Sequence, residues 1–364
     1  MNDAIQTLKR NGTTIIKLTL ILAIIAPFAI LYVYQGVAQP SYPYMYYDTH
    51  PPTYVDTFGV LWKGRAFYLF FLWLFAVEMI LGWEEVRSAI SKIKSPRTII
   101  FIVTLLLPTA YVVYANYSGF NKTIVDLTYK SGLNDAIYRP PDWMPLSTEY
   151  LVLTVLFALP IVLGYGFKGL SNFSISLAFL GIIGLMYTVD NLYPFGLFTP
   201  FQFLVFPTST LSAGVLNMMG YQTAISTTMD PKYGWAPLLA AQVPGSPMKN
   251  AQFLIGWPCA GIESLIIFTV VILLFLKRSS VPLWQKATYF AIGAAVTYFI
   301  NILRIVSIYV IAINGGNIDV FHNVYGQFYS IVWIISYPLI IIGSRAAWGR
   351  VRTPKVDTPP IVAS

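Results

Sequence analysis

Three polar side chains stand out from an otherwise apolar chain. Cys259 is the only cysteine, and it sits in Gly256-Trp257-Pro258-Cys259-Ala260-Gly261-Ile262 at the edge of a long apolar run. Arg304 lies inside the next apolar run, and His322 lies just before the last one. A thiol can act as nucleophile, a guanidinium can hold developing negative charge, and an imidazole can move a proton near neutral pH. Together they are the parts of an acyl-transfer site.

Each residue also has a structural explanation. Pro258 favours the first turn of a helix, which would place the Cys259 thiol near unsatisfied N–H groups and the positive dipole end that lower a thiol pKa. A lone membrane cysteine can equally be a small packing residue. Gly261 permits close backbone approach by a substrate or another helix. Arg304, roughly 12 Å in from the outer helix end at about 1.5 Å per residue, must be paired or face a polar cavity. Asn301 shares its face, three residues earlier. Glu263, expected one turn in on the Cys259 face, is the obvious carboxylate partner. Pairing matters because an unpaired carboxylate there would raise the thiol pKa. The Arg304–Glu263 pair can be a structural bridge, part of an anion clamp, or both. His322 is one of two histidines, and Asp319 is close enough in sequence to orient it. His50, the other histidine, reads as an interfacial polar residue.

The elements that position these residues follow from composition. The chain has 56% hydrophobic and only 10% charged residues, with a mean hydropathy of +0.64, against about 25% charge in ordinary soluble domains. Apolar runs long enough to cross a hydrocarbon core of about 30 Å as helix recur at 18–34, 66–83, 98–115, 150–167, 173–189, 258–276, 288–313 and 324–343. The expected fold is an all-α, polytopic transmembrane bundle of about eight spans, with no barrel-type alternation.

The net charge of +8 does not point to nucleic acid, because the basic residues are dispersed in short loops rather than gathered on one stripe. Lys9 and Arg10, the cluster from Arg87 to Arg97, Lys168, Lys277 with Lys286, and the tail from Arg345 to Lys355 fall at every second connection. The positive-inside rule puts these and both termini in the cytoplasm. The opposite connections carry Asp48, Asp56, Asp135, Asp190, Asp230 and Asp319, so the candidate site faces out. Segment 200–220 is fairly apolar, but it carries Pro200, Pro207 and four Ser/Thr residues. It is expected to be a re-entrant or interfacial helix covered by protein or a wet cavity.

This organises the chain into a five-span region, 1–190, with Tyr/Pro-rich outer loops; a core, 191–345, with the Cys/Arg/His site; and a basic, disordered cytoplasmic tail, 346–364. The first span is too long an apolar run for a cleaved signal peptide, despite Gly36-Val37-Ala38. Gly164-Tyr165-Gly166-Phe167-Lys168-Gly169 matches a dinucleotide fingerprint literally, but it follows a membrane helix rather than a strand and reads as a tight turn. One cysteine and two histidines cannot make a Cys/His zinc cage, and H-E-x-x-H is absent, so no metal or other cofactor is expected. Glu78, within the second span, is expected to pair inside the bundle.

With these residues in place, Cys259-Ala260-Gly261-Ile262, Asn301-Ile302-Leu303-Arg304 and His322 ahead of Gly326 resemble the Cys, Arg and His motifs of the exosortase/archaeosortase family of membrane transpeptidases, the archaeal branch preferred. The order, the spacings of 45 and 18 residues and the placement on successive spans agree with that pattern, and Leu211–Gly220 resembles the stretch ahead of its cysteine motif. Ala260 departs from the Ser or Thr often found there. The resemblance implies a sortase-like reaction on an all-helical fold at the outer face of the cell membrane. The implied substrates are exported proteins ending in a short motif, one transmembrane helix and a basic tail. It implies that Cys259 attacks the scissile carbonyl, Arg304 steadies the oxyanion and His322 serves as acid and base. The implied thioester would pass to an amine on a membrane lipid.

Two other functions use overlapping residues. An intramembrane cysteine protease would use the same site with water as acceptor. A small-solute transporter would use Glu263, Arg304 and Glu78 as a charged pathway and would not need Cys259.

Overall fold

The computed structural model describes residues 21–31, 62–82, 95–130, 144–192, 202–230, 234–277, 279–318, 321 and 326–352. It divides into two compact units, one formed by residues 1–199 and 229–235, the other by 200–228 and 236–364.

Up to residue 192 the first unit is helical where described: α1 Ile21–Leu31, α2 Trp62–Leu81, α3 Ser95–Tyr117, α4 Phe120–Lys130, α5 Met144–Leu170, a 3-10 turn Ser171–Phe173, and α6 Ser174–Leu192. Apolar sequence with no water to satisfy the backbone leaves helix as the economical conformation. Aromatic rings fill the core: Phe28 stacks on Phe157 with centroids 5.8 Å apart, and Phe75 stacks on Phe173 at 4.8 Å. The run α5 breaks at Gly166, whose φ of 68° only glycine adopts readily. That break falls inside the fingerprint-like stretch, and helix precedes it.

Glu78 finds its partner in this unit. Its carboxylate accepts hydrogen bonds from the backbone N–H groups of Ile175 (3.2 Å) and Ser176 (2.9 Å) and from the Ser176 hydroxyl (2.8 Å). These are first-turn donors of α6, which have no partner within the helix, and the dipole favours negative charge there. Glu78 is therefore a helix cap supplied from another helix.

Farther along the chain, α7 Val205–Met218 leads into strands β1 Gln222–Asp230, β2 Gly234–Val243 and β3 Ser246–Leu254. A 3-10 turn, Trp257–Ala260, then precedes α8 Ile262–Lys277, α9 Leu283–Ile313 and α10 Gly326–Arg352. At 14 residues, α7 is about 21 Å long, short of a membrane core. It ends in a Schellman motif: Tyr221 N–H donates to Leu216 O and Gly220 N–H to Asn217 O, both at 3.0 Å, with Gly220 at φ 92°.

The sheet corrects the all-α expectation. Its strands lie in the order β1-β2-β3, and β2 pairs antiparallel with β3, Leu239 opposite Phe253 and Ala241 opposite Ala251. Pro244-Gly245 makes the hairpin turn, with Gly245 at φ 75°, as a type II turn requires. Leu239 and Ala241 alternate inward.

Helices α8 and α10 share a core of Phe268, Ile272, Leu276, Ile334, Tyr337 and Ile341, against which Tyr289, Phe290 and Ala294 of α9 pack. Gly293 lets α9 into it, since a Cβ there would stand 2.3 Å from Phe268 and 2.6 Å from Tyr337. Among the described residues, three helices are long and apolar enough to cross a membrane: Met144–Gly164, Gly166–Asp190 and Leu283–Ile313. Of the tail expected to be disordered, residues up to Arg352 continue α10; 353–364 lie outside the described residues.

Candidate active site

One stripe of α9 organises the second unit's polar groups. Tyr298, Asn301 and Arg304 follow each other at three-residue spacing, and Tyr309 lies two turns beyond Asn301. From this stripe, side chains reach both the turn that carries Cys259 and the sheet that precedes it.

The cysteine turn is built by local rules. Gly256 is extended (φ −86°, ψ 167°), Pro258 opens a 3-10 turn, and the Cys259 N–H donates to Gly256 O at 3.0 Å. Gly261 then takes φ 89°. That conformation ends the 3-10 turn, and α8 begins afresh with the Leu265 N–H donating to Gly261 O at 3.0 Å.

This revises two expectations. Pro258 starts a separate one-turn helix rather than the long one, so the Cys259 thiol precedes α8 by a turn and its own N–H is already satisfied. Because Gly261 interrupts the helix, Cys259 and Glu263 do not share a face by four-residue spacing. Glu263 sits in the first turn of α8, where the helix dipole favours a carboxylate.

Two side chains from distant helices hold the turn by its carbonyls. Asn301 Nδ2 donates to Cys259 O at 2.9 Å. Thr208 on α7 donates from Oγ1 to Ala260 O at 3.3 Å. With its proton so used, Thr208 accepts from the Tyr298 hydroxyl at 2.9 Å. Gly261 is also required sterically: a Cβ there would lie 3.0 Å from both Cγ and Nδ2 of Asn301. Asn301 is 1% exposed, so its amide works in a dry setting where a hydrogen bond is strong and an unmade one costly. Cys259 itself is only half-buried. The outcome is a half-buried cysteine on a backbone clamped at two successive carbonyls.

Tyr309 fixes the approach to the turn. Its hydroxyl lies 2.7 Å from Leu239 O and 3.3 Å from Phe253 O, which belong to paired residues of β2 and β3. Its ring packs edge-on against Phe253 with centroids 5.1 Å apart. The Tyr309 hydroxyl is also close enough to Cys259 for the two to interact electrostatically. Farther along α9, Trp333 on α10 donates from Nε1 to Thr297 Oγ1 at 3.1 Å.

Arg304 is half-buried on α9, one turn from Asn301. His322 and Asp319, and likewise His50, lie outside the described residues. Sequence reasoning missed Thr208, Tyr298 and Tyr309. Three hydroxyls on two apolar helices were the available signal, but hydroxyls are frequent in this chain and nothing local marks these. Among the described residues, no group of three or more His, Cys, Asp or Glu is placed to hold a metal ion.

Residues 62–337 match the family model described as Transmembrane exosortase (Exosortase_EpsH). No curated protein and no solved structure matches the chain.

Proposed function

This chain belongs to the transmembrane exosortase family, and from that membership we infer a cysteine transpeptidase that processes exported proteins carrying a C-terminal sorting signal. The family in general is sortase-like and acts on such proteins. The finer assignments rest on chemistry. The Cys259 thiolate attacks the scissile carbonyl, and Arg304 stabilises the oxyanion. His322 takes the thiol proton and delivers it to the departing amine, so the helix and basic tail leave and a thioester remains. An incoming amine, carried by a membrane lipid, gives its proton to His322, attacks the thioester and forms a new amide. The thiolate is thereby regenerated. Glu263 pairs with Arg304 and removes its own charge from the thiol's surroundings; Asp319 orients His322. The chain crosses the cell membrane about eight times with both termini inside, and the reaction takes place at the outer face.

The observation that carries this reading is the hydrogen bond from Asn301 Nδ2 to Cys259 O at 2.9 Å. It ties the segment that bears Arg304 to the backbone of the nucleophile, as a shared site needs and as a packing cysteine does not.

The test compares cells with wild-type and Cys259→Ala protein by mass spectrometry of surface proteins that end in a helix and basic tail. Tails cleaved only in the presence of Cys259 support the reading, and the new C-terminal mass identifies the acceptor: an amine adduct for transpeptidation, a free carboxylate for hydrolysis. Identical processing in both, with the variant present in the membrane, sinks it.

A further inference from the structure

The first unit buries a carboxylate that the Cys259 chemistry does not use. Glu149, in the first turns of α5, is 3% exposed. One oxygen accepts from the Tyr68 hydroxyl of α2, and the other accepts from Asn116 Nδ2 of α3 at 3.1 Å. Asn116 in turn accepts from Asn121 Nδ2 of α4 at 3.0 Å. Four helices thus converge on one acidic group, and no Lys, Arg or His side chain pairs with it among the described residues. Charge without a counter-charge at such a place is costly, and ionisable residues inside a helix bundle mark binding sites or pathways.

Two further atoms point to a ligand. The Tyr111 hydroxyl and Asn121 Oδ1 are buried and make no hydrogen bond. Tyr111 is near enough to Glu149 for the two to interact electrostatically. Buried polar atoms are nearly always satisfied, so these two call for a bound donor. A carboxylate has about four lone-pair sites, of which the protein uses two here. The cluster therefore offers at least three oxygen acceptors and one negative charge. A primary ammonium, with three N–H donors and one positive charge, matches that set. A divalent cation does not, since a single carboxylate leaves one of its two charges uncompensated in a buried site.

We propose that Glu149, Tyr111 and Asn121 form a binding site for a primary ammonium group, supplied by a lipid headgroup or by a free amine. The site stands on its own chemistry, and its failure leaves the transpeptidase reading untouched.

The experiment uses the full-length protein and follows thermal unfolding and tryptophan fluorescence. In detergent, it is titrated with ethanolamine, with choline and with sodium chloride at matched ionic strength. In nanodiscs, phosphatidylglycerol alone is compared with phosphatidylglycerol plus phosphatidylethanolamine. Saturable stabilisation by ethanolamine, without choline or sodium matching it, supports a free amine; stabilisation only by phosphatidylethanolamine supports a lipid source. Glu149→Gln should abolish the response. Tyr111→Phe removes a hydroxyl that has no partner in the protein, so it should fold as the wild type while weakening binding about tenfold. Equal responses of the wild type and Tyr111→Phe, equal effects of sodium and ethanolamine, or no response to either amine source would overturn the proposal.

Discussion

Asn301 and Cys259 are joined across 42 positions of sequence by a 2.9 Å hydrogen bond from the Asn301 amide to the Cys259 carbonyl. The bond uses the backbone carbonyl of Cys259 and not its thiol. Asn301→Ala should therefore cost roughly 1–3 kcal/mol of stability and, by letting the thiol drift, on the order of 100-fold in kcat. Asn301→Asp sets an acceptor against the carbonyl and should do worse. Urea unfolding and single-turnover cleavage of a tail peptide check both effects.

Gly261 is constrained twice, by a φ of 89° and by the nearness of Asn301. A side chain in this backbone region costs roughly 1–2 kcal/mol, and the new Cβ also presses on the Asn301 amide. Gly261→Ala should destabilise by more than the backbone term alone. Combined with Asn301→Ala it should be less than additive, because the contact is relieved and the strain is not. A double-mutant cycle in denaturant would show additivity if the contact is unimportant.

Arg304 and Glu263 should separate activity from folding. Arg304→Ala is expected to abolish tail cleavage, and Arg304→Lys to restore little, because an ammonium lacks the planar fork of donors. Glu263→Gln should fold normally yet change turnover. Normal turnover by Arg304→Ala would remove Arg304 from the mechanism.

Tyr309→Phe keeps the ring against Phe253 but loses the hydroxyl contacts with Leu239 O and Phe253 O. About 1–2 kcal/mol of stability should go with them. Hydrogen exchange should rise first in β2 and β3, whereas a uniform rise over the unit would mean that the hydroxyl does not specifically anchor the sheet.

Glu78→Ala removes the cap of α6 and should cost roughly 1–2 kcal/mol. Cleavage per folded molecule should be unchanged. Loss of cleavage in fully folded Glu78→Ala protein would show that this carboxylate has a role beyond capping.

The helical membrane character was legible because lipid as solvent leaves little choice: a chain this apolar must satisfy its backbone within helices. Cys259, Arg304 and Asn301 stood out by type, since a thiol, a guanidinium and an amide are conspicuous among aliphatic residues. The sheet was harder to see. Its strands, nine or ten residues long, are rich in Thr, Ala and Gln and hold few of the branched aliphatic and aromatic residues that mark strands. Glu78 was recognisable as a residue that needs a partner, but the partner, Ser176, lies 98 positions away.

The sequence by itself determined the family, the membrane class and the residue types available for thiol chemistry, because composition and local spacing suffice for these. Tertiary structure alone decided that Gly261 breaks the helix and that Asn301 and Thr208 hold the Cys259 turn. It also decided that Tyr309 pins the sheet and that Tyr68 and Asn116 surround Glu149. These are contacts between segments tens of residues apart, and they arise only when helix packing brings particular turns together.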